Sequence, residues 1–150
     1  MTDRAMSGAP DVPPGYTLSA GAPTTDDYLE LRRHGGLSPK TPEQAAAAIA
    51  GSWAACSIVH GAEARSVAMG RIIGDGGWYF HVVDMAVLPE HQRRGLGGAV
   101  LSNLLEQIRL RAPSGAYVSL LADAPGRPLY ARRGFVETAP GSVGMALILE

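Results

Sequence analysis

The sequence predicts a single α/β (α+β) domain built on one mixed sheet of six to seven strands flanked by about four helices. Its 150 residues suit one domain with a buried core, since 46% of them are apolar and 18% are charged. Runs with strand periodicity alternate along the chain with runs of helical periodicity. One run, residues 78–88, is long and mostly apolar, which is typical of a central strand covered on both faces.

The first elements follow from local signals. Residues 16–20 alternate like a short strand. Thr24 or Thr25 can cap a first helix, whose acidic residues come first and basic residues last, as the helix dipole prefers. Pro42 at the first position opens a second helix. The next two runs have strand character and read WAACSIVH and EARSVAMGRII.

The later elements are marked by turns and by periodicity. The glycines of GDGG, residues 74–77, predict a hairpin turn before the long strand, which Pro89 stops. Apolar residues recur at helical spacing from Leu96 to Ile108 and predict a helix. After it come a strand, AYVSLLA, a short helix, PGRPLYARR, that Gly134 ends, and two closing strands, FVET and VGMALIL.

Composition limits the classes of partner. The net charge of −1 gives no broad basic field, so neither a nucleic acid nor a membrane is expected as a partner. The first residues lack the apolar centre of a signal peptide, and residues 1–15 predict a mobile tail ahead of a domain at 16–150. The single Cys56 cannot form an internal disulfide and suits a reducing, cytoplasmic location.

The stretch VLPEHQRRGLGGAVL joins the long strand to the following helix through a loop rich in glycine and arginine, residues 92–98. Uncapped N–H groups at a helix start bind anions, glycine lets a ligand approach the backbone, and arginine suits phosphate. A tight turn with solvated arginines is the alternative. No Lys-Ser/Thr pair follows the loop as in a Walker A motif, and Val100 breaks a dinucleotide-binding pattern.

This loop resembles the cofactor motif of the GNAT superfamily, the acetyl-CoA-dependent N-acetyltransferases. The motif Arg/Gln-x-x-Gly-x-Gly/Ala stands here as QRRGLG, after an Ala-Val strand end and a proline. A second stretch, LYARRGF, is similar to the family's Leu-Tyr on a short helix before Gly-Phe. The two motifs lie in family order. The resemblance covers residues 16–149 and implies a mostly antiparallel GNAT-like sheet.

The resemblance also implies a set of contacts with acetyl-CoA as cosubstrate. Loop amides would face the pyrophosphate, the end of the long strand would pair with the pantetheine arm, and Tyr130 would protonate the departing thiolate. The family often has Asn where this chain has Asp123, whose ionised carboxylate cannot donate a hydrogen bond. The residues expected to bind the cofactor are Met85, Ala86, Val87, Gln92, Arg93, Arg94, Gly95, Leu96, Gly97, Gly98, Asp123, Tyr130 and Arg133.

Two residues on the long strand are candidates for the base that deprotonates the amine, His81 and Asp84. Their odd spacing puts them on opposite faces of a regular strand, so both can face the amine only if the strand bulges. A packed histidine and a hydrogen-bonded structural carboxylate are the alternatives. His34, His60 and His91 lack the spacing of metal ligands, so no metal is expected.

The predicted function is therefore acetyl transfer to a primary amine of a small molecule. Two alternatives stay open, an acyl-CoA-binding regulatory module with little turnover and a protein or peptide N-acetyltransferase. The protein is expected to be a monomer or a homodimer. Residues that could line the acceptor site, although core or surface roles are commoner, are Tyr28, Arg33, His34, Trp78 and Tyr79.

Overall fold

The computed structural model describes residues 12–150. The elements up to the short helix before Gly134 follow the predicted order with bounds close to the predicted ones, except that the strand predicted as AYVSLLA has only three residues. They are β1 (Tyr16–Ala20), α1 (Thr25–His34), α2 (Pro42–Ala50), β2 (Ala54–His60), β3 (Ser66–Gly74), β4 (Tyr79–Val87), α3 (Leu96–Arg111), β5 (Tyr117–Ser119) and α4 (Arg127–Arg132).

The strands form one sheet in the order β1-β2-β3-β4-β5. The pairs β1–β2, β2–β3 and β3–β4 are antiparallel, and β4–β5 is parallel. The sheet is therefore mixed and mostly antiparallel, as the resemblance implied. Because a parallel neighbour needs a crossover, α3 lies between β4 and β5 in the chain and covers one face of the sheet.

The predicted helix starts and hairpin are present. The hydroxyl of Thr24 accepts a hydrogen bond from the Asp27 N–H at 3.2 Å and caps α1. Thr41 and Gln44 form a capping box at the start of α2. Between β3 and β4, the Asp75 carboxylate accepts hydrogen bonds from the N–H groups of residues 77–79, which fixes the turn.

The two faces of the sheet are covered by different helices. A Cβ placed on Gly70 would lie 2.8 Å from Val100 and 2.9 Å from Leu104, so this glycine faces α3. The next residue, Arg71, donates to the Ala48 carbonyl at the end of α2 and therefore points to the other face. We call these the α3 face and the α1–α2 face of the sheet.

The sheet has five strands among residues 12–150, fewer than the six to seven predicted. The difference lies at the C-terminal end, where FVET and VGMALIL form neither strand nor helix. Their alternating pattern suits a strand, but a strand also needs a partner for its backbone hydrogen bonds. The residue pattern indicates that a segment can adopt a strand conformation, but it does not indicate whether a partner strand is present.

The predicted tail, residues 1–15, falls mostly outside the described residues. Its last part contacts the domain, since Val12 packs against the core and the Gly15 carbonyl accepts a hydrogen bond from the Gly61 N–H at 2.7 Å. In the part of the chain that the structure describes, no helix is both long enough and apolar enough to cross a bilayer.

Candidate functional site

The parallel pairing of β4 with β5 stops early and leaves the second half of β4 with an unpaired backbone edge, which we call the opening between the two strands. The register covers three pairs and ends at His81 opposite Ser119. Beyond this point β4 continues to Val87, while β5 has ended. The last six residues of β4 therefore have a strand neighbour only on the β3 side within residues 12–150. An extended ligand with amide groups can pair with such a backbone edge.

The opening leads to the glycine-rich loop and the start of α3. Gly95 is the N-cap residue, with φ of 81°, and Arg93 also has a positive φ, of 62°. No side chain among residues 12–150 caps this helix. The first N–H groups of a helix have no partner inside it, and the helix dipole makes this end positive. The loop can therefore bind an anionic group through its backbone.

The loop, the end of β4 and α4 converge. A Cβ on Gly97 would lie 3.5 Å from Leu129 and 3.9 Å from Val87, and one on Gly98 would lie 2.9 Å from the Arg133 guanidinium. Arg133 donates to the Ser102 hydroxyl at 3.0 Å and to the Gly98 carbonyl at 3.3 Å. Arg133 thus lies against the first turns of α3, and a side chain at position 98 would require the Arg133 guanidinium to move.

Two other loop residues that were predicted to bind the cofactor, Gln92 and Arg94, contact nearby backbone carbonyls in the structure. Gln92 donates to the carbonyl of Val87 at 3.0 Å, and Arg94 lies 3.5 Å from the carbonyl of Glu90. Leu96 is buried and anchors the first turn of α3 in the core. These contacts hold the loop beside the end of β4.

Tyr130 lies on α4, and its half-buried ring packs edge-on against Phe135 with centroids 6.1 Å apart. Burial raises the pKa of Tyr130, and the negative charge of Asp123 raises it further. The phenol therefore keeps its proton at neutral pH and can act as an acid. Asp123, which precedes the turn into α4, accepts from the Gly126 and Arg127 N–H groups through its backbone carbonyl.

β4 contains the bulge that would let both candidate bases share a face. Met69 pairs with Ala86 but Arg71 pairs with Val83, so β4 has one residue more than β3 over this stretch. Asp84 has φ of 57°, which is uncommon for a residue with a side chain. The extra residue brings Asp84 onto the α1–α2 face, where it reaches Arg71.

Asp84 accepts three hydrogen bonds in a nearly buried cluster. The donors are the Tyr28 hydroxyl at 2.5 Å, the Arg32 Nη1 at 2.5 Å and the Arg71 Nε at 2.8 Å. The side chains of the two arginines and Asp84 are only 7% to 11% exposed. Burial alone would raise the pKa of Asp84, but the hydrogen bonds from Tyr28 and Arg71 and the two positive charges outweigh it and lower this pKa.

His81 lies on the same face, because its partner across the ladder, Ile73, is two residues from Arg71. Its Nδ1 is 2.8 Å from the Ser119 hydroxyl, which also lies 3.3 Å from the Tyr79 hydroxyl. Burial lowers the pKa of His81, so the imidazole is neutral at neutral pH. Its three-residue separation from Asp84 corresponds to about 10 Å along a strand.

A cavity of about 290 Å³ opens on the α1–α2 face beside Asp84. Its lining includes Tyr28, which the sequence had named for the acceptor site. Arg33 and His34, named with it, instead pair with Glu30 on the surface. The residues that line the cavity are Tyr28, Arg32, Lys40, Gln44, Ala48, Arg71, Val83 and Asp84.

The sequence reasoning missed Arg32 and Arg71. Arg71 stands inside the apolar run VAMGRII, and a charged residue in a buried strand indicates a buried partner. Arg32 follows Tyr28 by four residues, which puts both on one face of α1. Cys56 is buried, and burial raises the pKa of its thiol to about 12, so the thiol is protonated at neutral pH and poorly suited to act as a nucleophile. Residues 12–150 hold no metal-binding group of three or more His, Cys, Asp or Glu.

We predict that Asp84→Ala lowers the free energy of unfolding by about 3–5 kcal/mol, because it leaves two buried guanidinium groups without their carboxylate. Chemical denaturation at neutral pH measures this change. Since the Asp84 pKa is lowered in the folded state, the difference from wild type should shrink as pH falls through that pKa. Glu106→Ala is the control, because Glu106 pairs with Arg109 at 3.5 Å on the surface. This variant should lower the free energy of unfolding by about 1 kcal/mol at most. Equal losses in the two variants would contradict the prediction.

The comparisons with known proteins agree with this geometry. The family model of the Acetyltransferase (GNAT) domain matches residues 54–137. The structure resembles that of SA2161, a probable acetyltransferase of unknown function from meticillin-resistant Staphylococcus aureus. The two are 35% identical over 89% of this chain and 99% of that chain, with a TM-score of 0.83. No curated protein matches the chain by sequence.

Two more distant structures have acceptors in their names. Glucosamine-6-phosphate N-acetyltransferase from Arabidopsis thaliana is 17% identical, with a TM-score of 0.69 over 89% of this chain and 99% of that chain. The ribosomal-protein-S18-alanine N-acetyltransferase from Escherichia coli is 20% identical, with a TM-score of 0.67 over 81% and 78%. At these identities the likeness shows the fold alone. On the family match and the closer likeness to SA2161, the chain belongs to the GNAT family of acetyltransferases.

Proposed function

We propose that the protein is an N-acetyltransferase that moves the acetyl group of acetyl-CoA to the primary amine of a small molecule. The observation that carries the proposal is the opening between β4 and β5, which leads to an uncapped helix start rich in glycine. A ligand with an extended amide-bearing arm and a pyrophosphate matches both features. A cytoplasmic location stays a prediction.

The residues at the opening fit acetyl-CoA. The edge of β4 from Met85 to Val87 can pair with the amides of the pantetheine arm as an added strand would. The N–H groups of the loop, residues 92–98, can bind the pyrophosphate. Acetyl-CoA supplies the activated acetyl group. The residues around the opening bind acetyl-CoA, orient the amine and move protons.

His81 is the base that the geometry favours. A free alkylamine has a pKa near ~10, so it must lose a proton before it can attack the thioester carbonyl. The imidazole of His81 is neutral, half-buried and held by Ser119. The Asp84 carboxylate already accepts from Tyr28, Arg32 and Arg71, and its lowered pKa makes it a weak proton acceptor.

Tyr130 is the acid in this proposal. When the amine nitrogen bonds to the carbonyl carbon, the carbon–sulfur bond breaks and the thiolate of coenzyme A leaves. The raised pKa of Tyr130 keeps the phenol protonated, so it can donate that proton to the sulfur.

The cavity beside Asp84 suits a small acceptor with an acidic group. Its lining carries three positive side chains, those of Arg32, Lys40 and Arg71, against the single carboxylate of Asp84. The cavity of about 290 Å³ is at the small end for ligand sites. We therefore propose that the amine acceptor also carries a carboxylate or a phosphate, which this surplus of positive charge attracts.

The function is tested with a panel of amines and acetyl-CoA, by following release of the coenzyme A thiol. The panel pairs amino acids with their neutral amides and 2-aminoethyl phosphate with ethanolamine, and it includes short peptides. We expect the acidic member of at least one pair to have the higher kcat/KM. If only neutral amines are acetylated, the proposal that the acceptor carries an acidic group is refuted. If only peptides are acetylated, the proposal that the acceptor is a small molecule is refuted. Thiol release without any acetylated amine would refute the transferase.

Lys40→Gln should then raise KM for the acidic acceptor about 2–5-fold, the value of one exposed charge contact, and leave neutral amines unaffected. Arg33→Gln is the matched control, because Arg33 pairs with Glu30 outside the cavity. An equal effect of both variants would assign the change to net charge rather than to the cavity.

His81→Ala should lower the transfer rate most at neutral pH, by a factor in the ~10²–10⁴ range of general catalysis. The rate should recover in part as pH rises toward ~10, because the amine then loses its proton without help. Ser119→Ala removes only the hydrogen-bond partner of the His81 imidazole, so its transfer rate should fall less than that of His81→Ala. A pH–rate profile unchanged from wild type would assign the proton transfer to Asp84 or to water.

Tyr130→Phe removes only the hydroxyl, so kcat should fall at least ~10-fold while binding of coenzyme A persists. Asp123→Asn removes a charge that raises the Tyr130 pKa and should move the alkaline limb of the pH–rate profile to lower pH. Steady-state kinetics across pH measure both changes. Native turnover in Tyr130→Phe would show that the proton comes from another group.

A further inference from the structure

Lys40 is the only lysine in the chain, and it lines the cavity beside Asp84. The other residues of the lysine and arginine class are all arginines, whose guanidinium groups stay protonated in proteins and so lack the free lone pair of a nucleophile. The ε-amine of Lys40 is therefore the one side-chain primary amine of the protein. It stands in the cavity proposed for an amine acceptor, and a primary amine is the group that the proposed reaction acetylates.

The position of Lys40 is fixed from β4. The residue lies in the loop between α1 and α2, residues 35–41. Arg32, which pairs with Asp84, also donates to the Ser38 carbonyl at 2.8 Å and to the Ser38 hydroxyl at 3.2 Å. The Lys40 Nζ donates to the same hydroxyl at 3.0 Å. The hydrogen bonds that hold the bulge in β4 therefore also hold the amine at the cavity.

The cavity adjoins the edge of β4 that the cofactor arm would use. Val83 and Asp84 line the cavity, and the next residue, Met85, begins that edge. A strand rises only ~3.3 Å per residue, so the cavity and the edge follow each other directly along β4. The Lys40 side chain is exposed and its four-carbon stem is flexible, so the amine can turn from Ser38 toward the end of the arm. Two groups held together in one molecule react as if at very high concentration.

We propose that the protein acetylates its own Lys40 from acetyl-CoA, and that this modification weakens the cavity's attraction for its acceptor. The inference rests on the proposed function, because it uses the same cosubstrate and the same site. Lys40 is thus an acceptor built into the chain, which takes the acetyl group when no other amine fills the cavity.

The transfer follows the chemistry of the proposed reaction. The ammonium of Lys40 gives one proton to His81, and the neutral Nζ then bonds to the thioester carbonyl carbon. The carbon–sulfur bond breaks, and the departing thiolate takes a proton from Tyr130. The nitrogen releases its second proton as the amide forms. The products are an Nε-acetylated lysine and the thiol of coenzyme A, and in net one proton passes to water.

Acetylation changes the charge of the cavity. Its lining carries Arg32, Lys40 and Arg71 against the carboxylate of Asp84, and acetylation of a lysine removes its charge. The surplus of positive charge thus falls from two to one. The acetylated side chain is also longer, in a cavity of only about 290 Å³. An acidic acceptor should therefore bind the modified protein less well than the unmodified one.

Peptide mapping by mass spectrometry, after incubation with acetyl-CoA and no added amine, tests the modification. We expect residue 40 to gain one acetyl group, and we expect no acetyl group at this position in Lys40→Arg, which keeps the charge. Arg33→Lys is the matched control, because it places a second amine on the surface beside Glu30, outside the cavity. Lys40 should be acetylated at least ~10²-fold faster than that introduced amine, the lower end of general acid–base catalysis. Equal rates at the two positions would show purely chemical acetylation and overturn the proposal.

Dilution distinguishes transfer within one chain from transfer between chains. The rate constant for acetylation of Lys40 should not change with protein concentration, because each chain fills its own cavity. A rate constant that rises with protein concentration would overturn this assignment.

The amine panel separates this inference from the proposed function. If panel amines are acetylated while Lys40 stays unmodified, this inference fails and the proposed function stands. If neither is acetylated, both fail. After complete acetylation of Lys40, KM for the best acidic amine of the panel, an amino acid or 2-aminoethyl phosphate, should rise about 2–5-fold, the value of one exposed charge contact. An unchanged KM would refute the proposed effect on the acceptor.

Discussion

The extra residue in β4 is the constraint on which the site depends. Asp84 occupies a left-handed backbone position that is unfavourable for a residue with a side chain, and its hydrogen bonds to Tyr28, Arg32 and Arg71 hold it there. Bulges bend a strand and increase its twist. The pairing with β5 ends at His81, three residues before the bulge. The ion pairs therefore fix the course of the strand edge that the cofactor arm would use.

The cluster of Asp84, Arg32 and Arg71 lies between the proposed cofactor site and the proposed acceptor site. On one side of the bulge, β4 continues to the glycine-rich loop, where the helix start can bind a pyrophosphate. On the α1–α2 face, the two arginines and Asp84 line the cavity of the proposed acceptor. A buried carboxylate with a lowered pKa is better suited to fixing this junction than to taking protons. If Asp84 has this structural role, His81 is the favoured base.

Local signals in the sequence predicted most of the fold. The cap at Thr24 or Thr25, the start of α2 at Pro42, the turn at residues 74–77 and the period of α3 depend on neighbouring residues, and the structure confirms each of them. The closing strands were predicted wrongly, because strand pairing depends on a distant partner that periodicity does not report.

The site could be predicted only where it is local. The loop at residues 92–98 is contiguous in the chain and therefore visible as a motif. The Asp84 cluster joins residues 28, 32, 71 and 84, which the fold alone brings together. A lone arginine in an apolar strand was the available signal for it. The cavity proposed for the acceptor is equally non-local, and of its lining residues only Tyr28 was predicted for the acceptor site from the sequence.

Thermal unfolding with and without acetyl-CoA tests the central claim most directly, namely that the opening and loop bind this ligand. At ~100-fold excess over its dissociation constant, acetyl-CoA should stabilise the wild type by ~2.7 kcal/mol. Gly95→Val should fold without ligand, because a Cβ at Gly95 meets no atom within 4 Å, but it should lose the shift, because valine cannot keep φ at 81° without strain. No shift in the wild type, or an equal shift in the variant, would contradict the account.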